Sequence, residues 1–195
     1  MIVTLIRHGQ TDWNLAGRIQ GSTDIPLNET GRQQARDAAA ALDPSIATAV
    51  YSSDLQRANE TARIIAAAHG WNEPHIIAPL RERFYGEAEG LYNHEFLERF
   101  GPWATAEVPG AETRAEIRVR ISAALRDVVA HAESLGIDPT TRLIAVSHGA
   151  MIAELLRSLT DGAYPLPGEG IANGSAHDFF VTDDDIRWLS PVVAD

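Results

Sequence analysis

Residues 142–149 read Arg142-Leu143-Ile144-Ala145-Val146-Ser147-His148-Gly149, and residues 2–9 read Ile2-Val3-Thr4-Leu5-Ile6-Arg7-His8-Gly9. Both are short, β-branched, mostly apolar runs that close on His-Gly. The run Arg142–Ser147 is the most strand-like in the chain and passes into a helical pattern from Ala150 to about Leu159, as a strand buried on both faces and followed by a helix would. Outward from these two runs the same alternation recurs. Leu27-Asn28-Glu29-Thr30-Gly31 leads into an alanine-rich helix over Arg32–Leu42, stopped by Pro44. Thr48–Ser52 is a further strand, and Ser53-Asp54 reads as the N-cap of a helix to about His69. His75–Ala78 is a short third strand. Glu112–Leu135 has the spacing of a long amphipathic helix with Ile117, Ile121, Leu125, Val128 and Val129 on one face. Two late strands, near Ala176–Val181 and Ile186–Leu189, flank Asp183-Asp184-Asp185 and predict an antiparallel edge. Alternating β and α segments predict an α/β domain with a mostly parallel central sheet. The chain reads as one domain over residues 1–195, with a loop-and-short-helix insertion at about Phe84–Ala111 beside the site.

In such sheets ligands bind beyond the carboxyl ends of the strands. The first strand delivers Arg7-His8-Gly9 there, and the second delivers Ser52-Ser53-Asp54 with Arg57 one turn on. Leu80-Arg81-Glu82-Arg83 follows the third, and the run at 142–147 delivers His148-Gly149. These cations converge in a protein of 195 residues whose net charge is −11, which points to a small dianion such as a phosphoryl group. A neutral histidine nitrogen attacks phosphorus directly if guanidinium forks hold the equatorial oxygens and an acid protonates the leaving alkoxide. His8 fits the nucleophile, Arg7 and Arg57 the clamps, and His148 a further phosphate donor. Glu82 fits the acid if the site raises its pKa toward neutrality. Glycines after both histidines would let substrate approach the backbone. Taken alone, each histidine reads as a structural strand-end residue, Arg57 as a solvated helix residue and Glu82 as a surface ion pair; joint placement favours the functional reading. His69, His75, His94, His131 and His177 have no metal-ligand spacing and read as structural, although His94 lies in the insertion, within reach of a substrate.

Composition narrows the classes. There is no cysteine and no lysine, so all 16 basic residues are arginines. Disulfides, thiolate nucleophiles, Schiff-base lysines and P-loop lysines are excluded, and any anion site must use arginine, histidine and backbone N–H groups. The acidic net charge argues against non-specific binding to nucleic acid or an anionic membrane. No apolar run approaches the ~20 residues of a spanning helix. There is no basic leader ahead of the first strand, and the chain reads as cytoplasmic. A homodimer is compatible with all of this.

Leu5–Asn14, reading LIRHGQTDWN, resembles the signature of the histidine phosphatase superfamily, the phosphoglycerate-mutase-like group (branch 1). The resemblance continues in order through Gly17–Gly21, Asp24–Leu27, Tyr51–Ala58, Thr61-Ala62, Leu80-Arg81-Glu82, Gly86 with Glu89-Gly90, Pro109–Glu112 and Val146–Gly149. It covers most of the chain, and the ordered set is far more specific than a bare RHG triplet. It implies a three-layer α/β/α fold, His8 as the phosphorylated nucleophile, Arg7, Arg57 and His148 in the phosphate pocket, and Glu82 as proton donor. Asn14 matches a phosphate-site position and Gln20 a substrate contact. Gly21, beside Gln20, and Tyr85, in the insertion, are read as further substrate-binding residues. The resemblance implies no metal and no organic cofactor.

Cofactor-dependent mutases resemble the chain in the same blocks. They hold a second acidic group with further basic residues: a lysine that would fall here near Asn93, and paired arginines in a longer insertion. Neither has a counterpart in the insertion here, and Glu107 and Glu112 would disfavour a bisphosphate. The expectation is therefore a metal-independent phosphomonoesterase for a small sugar phosphate or phosphoglycerate-type metabolite, with phosphoglycerate mutase as the alternative. A non-catalytic module that senses a phosphorylated ligand is a third reading, disfavoured because nucleophile, clamps and acid are all intact. The aromatics Phe84, Tyr85, Tyr92, Phe96 and Trp103 either shape the leaving-group pocket or form a small core of their own.

Overall fold

The computed structural model describes residues 1–43, 47–166 and 168–189. Its strands are β1 (Ile2–Arg7), β2 (Ala47–Ser52), β3 (His75–Ile76), β4 (Arg142–Ser147), β5 (Ala176–Val181) and β6 (Ile186–Leu189), in one sheet of order β3-β2-β4-β1-β5-β6. The strands β1 to β4 pair in parallel; β5 lies antiparallel to β1, and β6 antiparallel to β5. The helices are α1 (Asp12–Leu15), α2 (Glu29–Ala41), α3 (Gln56–His69), α4 (Asn93–Phe100), α5 (Arg114–Ser134) and α6 (Gly149–Leu159).

The two-residue period of the strands sorts the helices into layers. On β4, Leu143 and Ala145 join a core containing Ile117, Ile121, Leu125, Val128 and Val129 of α5 and Met151, Ile152 and Leu155 of α6. Ile144 and Val146, pointing the other way, join Ala39 of α2 and Ala58, Ala62 and Ile65 of α3. Both faces of the central strands are covered, which is why the run at 142–147 is apolar throughout. The predicted apolar face of α5 is at most 5 % exposed, and burial of each of its five side chains stabilises the fold by roughly 1.5–3 kcal/mol.

Several boundaries differ from the sequence reading, each for a specific physical reason. Asn28 caps α2 by accepting from Gly31 N–H at 2.9 Å, so the helix starts at Glu29 rather than Arg32. It ends at Ala41; Pro44, read as its stop, lies outside the described residues. Neither Ser53 nor Asp54 caps α3. The N-cap is Leu55, with no side-chain bond of its own, and Asp24 from a distant loop accepts from Gln56 N–H at 2.8 Å. Asp54 is taken by Arg81 and Ser53 by His148. β3 stops at Ile76 because Ala78–Leu80 tightens into a 3-10 turn around Pro79. α5 starts at Arg114 behind a Thr113–Glu116 capping box. The sequence reading missed α1, which is capped by Thr11.

Gly9 and Gly31 hold β1 and α2 together. A Cβ on Gly9 would stand 2.2 Å from Gly31 O, and one on Gly31 would stand 2.1 Å from Gln10 O. Gly9 therefore serves backbone packing rather than the substrate approach expected of it. The alanine in Gly31→Ala has to push two backbones apart, and a loss of about 2 kcal/mol or more is expected despite its better helix propensity. A thermal melt checks this: the midpoint should fall by about 5 °C or more.

Candidate active site

Register brings the two His-Gly segments together. β1 and β4 pair residue for residue, ending with Arg7 opposite Ser147. His8 N–H then bonds Ser147 O at 3.0 Å, and the His8 and His148 rings lie 5.0 Å apart at 59°. β2 pairs on the other side of β4, Ser52 against Val146, which sets Ser53 and Arg57 behind the same edge.

His8 is 1 % exposed. Its Nδ1 lies 2.6 Å from Gly9 O, and a carbonyl only accepts, so Nδ1 carries the proton of the neutral ring and Nε2 is left with its lone pair. Burial, then Arg57, then Arg7 push the His8 pKa well below its ordinary value. The ring is therefore neutral at pH 7. His148 is buried too, and burial followed by Arg57 and His8 depresses it in the same way. Its Nε2 is 2.8 Å from Ser53 Oγ, and its buried Nδ1 has no protein partner. If the Ser53 hydroxyl donates to Nε2, Nδ1–H is the donor left for a ligand. On that basis Ser53→Ala should let the ring change tautomer and lower kcat/KM by about tenfold, the cost of one net hydrogen bond. Steady-state kinetics on an aryl phosphate checks this, with Ser53→Thr recovering most of the loss.

Arg57 is fully buried and donates through Nη1 to Thr23 O at 2.8 Å and through Nη2 to Gly21 O at 2.7 Å, leaving its buried Nε without a partner. Arg7 donates through Nη1 to Ile171 O and likewise keeps a buried, unpartnered Nε. A Cβ on Gly149 would stand 3.1 Å from that Nε. This second glycine thus makes room for the guanidinium, and it also lines the cavity described below. Glu82 accepts from Arg83 N–H at 2.8 Å through Oε1 and from Ala150 N–H at 3.2 Å through Oε2. Arg120 ties the backbone around it by donating to the carbonyls of Pro79, Arg81 and Glu82.

A cavity of about 540 Å³ opens in front of these groups. Arg7, His8, Asn14, Gln20, Gly21, Glu82 and Tyr85 all line it, with Arg57 and His148 buried behind. The structure thus brings all nine predicted site residues to one place. Thr11 was overlooked in the sequence, although it stands inside LIRHGQTDWN. It is fully buried, donating to Gln20 Oε1 at 2.8 Å and through its N–H to Asn14 Oδ1 at 3.2 Å. Both amides therefore have their NH2 groups to offer a ligand. Asn173 was overlooked as well; it donates to His8 O at 2.9 Å and lines the cavity. A polar side chain in the Gly-rich segment at 170–175 was the available signal.

The insertion divides its aromatics between the two expected roles. Tyr85 and Trp103 line the cavity, whereas Phe96 is buried with Ile19 and Ala88 and stacks on Trp103 at 3.7 Å. His94 is exposed against Tyr92 and does not line the cavity. Glu107 and Glu112 do not line it either, and Glu112 is paired with Arg120 at 2.6 Å. Neither carboxylate therefore faces the cavity to repel an acidic substrate, contrary to the expectation from the sequence. Among the described residues no group of three or more histidines and carboxylates is placed to hold a metal ion, and no helix is long and apolar enough to cross a membrane.

Residues 3–187 match the model of the histidine phosphatase superfamily, branch 1. The chain belongs to this family. A metal-independent phosphoserine phosphatase from Arabidopsis thaliana is 34 % identical over 83 % of the chain and 69 % of that protein. A probable phosphoglycerate mutase from Enterobacter sp. (strain 638) is 35 % identical over 80 % of the chain and 74 % of its own length. Among solved structures, a mycobacterial glucosyl-3-phosphoglycerate phosphatase in complex with VO3 superposes with a TM-score of 0.80 at 30 % identity, covering 96 % of this chain and 95 % of that one. This histidine phosphatase therefore has the phosphoglycerate-mutase-like α/β fold that its sequence predicts.

Proposed function

We propose that this histidine phosphatase hydrolyses a small phosphorylated metabolite, of the sugar-phosphate or phosphoglycerate type, through a phosphohistidine on His8 and without a metal. The observation that carries this reading is the neutral His8 ring, pinned through Nδ1 to Gly9 O beside two guanidinium groups with unpartnered Nε atoms. Nε2 attacks phosphorus as the bond to the leaving oxygen breaks, and that oxygen takes the Glu82 proton. Water then attacks phosphorus as the P–Nε2 bond breaks, gives a proton to Glu82, and inorganic phosphate and neutral His8 are released. Arg7, Arg57, His148 and the Asn14 amide stabilise the charge on the equatorial oxygens. The names of the phosphoserine and glucosyl-3-phosphoglycerate phosphatases to which the chain is similar support hydrolysis as the outcome.

Phosphoglycerate mutase is the second reading, favoured by the relative of that name and by four arginines, Arg18, Arg83, Arg114 and Arg157, on the cavity wall. A turnover screen on purified protein without added metal separates the two. Aryl phosphate, sugar phosphates and phosphoglycerates are set beside a coupled mutase assay. Release of inorganic phosphate with negligible isomerisation is the expected result, and dominant isomerisation would replace the hydrolase reading with the mutase.

A further inference from the structure

Glu154 on α6 is 3 % exposed, yet three arginines surround it. Arg118 of α5 satisfies Oε1 closely, through Nη2 at 2.7 Å and Nε at 2.8 Å. Arg114 and Arg157, from α5 and α6, both face Oε2 but come no nearer than 3.6 Å. One carboxylate thus holds three positive charges and fully pairs one of them. Arg118 does not line the cavity; Arg114, Glu154 and Arg157 do. The other charges on that wall are already engaged. Arg18 bonds Gly90 O and stacks on Trp13, Arg83 bonds Glu112 O and covers Tyr85, and Glu169 accepts from Leu166 N–H. Arg114 also donates to Trp103 O, at a long 3.4 Å. Arg114 and Arg157 are thereby the loosely held cations of the cavity wall, in a protein whose overall charge is −11.

We propose that Arg114 and Arg157, held by Glu154, form a second anion subsite that takes a carboxylate on the leaving group, so that the preferred substrate is the phosphomonoester of a hydroxy acid. That the carboxylate belongs to a leaving group rests on the phosphatase reading above; the subsite itself does not. Two helices supply its guanidinium groups, whereas the sequence reading looked for them only in the insertion. Half-exposed arginines suit this role: they give planar, bidentate recognition of a carboxylate, and their attraction weakens with salt.

The test is equilibrium binding by calorimetry to full-length His8→Ala protein, which removes turnover from the measurement. The probes are 3-phosphoglycerate and glycerol 3-phosphate, which share the phosphate and differ in carboxylate against CH2OH. We expect 3-phosphoglycerate to bind at least about tenfold more tightly, as a charge-assisted contact implies. Adding Arg114→Gln and Arg157→Gln should collapse the ratio, Arg→Lys at both positions should restore part of it, and added salt should erode it. Each single Gln variant should lose part of the preference, which keeps the test decisive if the double variant does not fold. Equal affinity for the two probes, or a preference that survives both Gln substitutions, overturns the subsite. Tighter binding of 2,3-bisphosphoglycerate that depends on the same arginines overturns the carboxylate assignment in favour of a second phosphate. Failure of the phosphatase reading would show separately, as native protein that releases no phosphate from any ester.

Discussion

His8→Ala protein folds and loses at least about 10⁴-fold in kcat, because deleting a covalent nucleophile removes the pathway rather than weakening it. No neighbouring group can substitute. His148 is the nearest ring, but its Nε2 is engaged with Ser53, and with that hydroxyl donating, its Nδ1 carries a proton and has no lone pair for attack. Arg7 and Arg57 are cations without a lone pair to offer. The fold should survive because the ring makes one hydrogen bond, to Gly9 O, and sits beside two guanidinium groups that disfavour its charged form. Circular dichroism and a melting curve check the fold, and phosphate release checks the activity. A variant with most of its activity left would remove His8 from the mechanism.

Glu82→Gln should split substrates by leaving group. An alkoxide departs poorly without a proton, so alkyl phosphates should slow by about 10²–10⁴-fold, the range of a lost general acid. An aryl phosphate leaves as a stable phenolate and should slow by less than about tenfold on the same reasoning. Glutamine retains an acceptor for one of the two N–H donors at Arg83 and Ala150, so the loop held by Arg120 stays in place. Parallel kcat measurements on both esters decide the matter. Equal losses would mean that Glu82 orients the pocket rather than donating a proton.

The parts of the fold that follow from local pattern were legible in the sequence. β4, β5 and β6 lie where their apolar runs predict, and the apolar face of α5 is the face that packs. The convergence of His8, His148, Arg57 and Glu82 was legible because strand ends of a parallel sheet share one edge, whatever the register. What escaped depends on side chains recruited across the chain. Ser53 and Asp54 have the chemistry of an N-cap, but His148 and Arg81 claim them, and Asp24 caps α3 from a loop 32 residues away. Gly9 and Gly149 follow catalytic candidates, yet their missing side chains accommodate Gly31 and Arg7. Thr11 reaches Asn14 as a local cap, but its bond to Gln20 and the bond from Asn173 to the His8 carbonyl join separate segments, and those contacts are not encoded in local spacing. The cluster around Glu154 needs α5 and α6 side by side before it exists at all.

The central claim is that phosphorus becomes bonded to His8. Native protein mixed with an aryl phosphate, quenched in alkali within one turnover and digested, should yield one phosphorylated peptide, containing His8, whose label is stable in alkali and lost in acid. The His8→Ala protein should yield none. Turnover by the native protein without any labelled peptide, or a label mapped to another residue, would contradict the account.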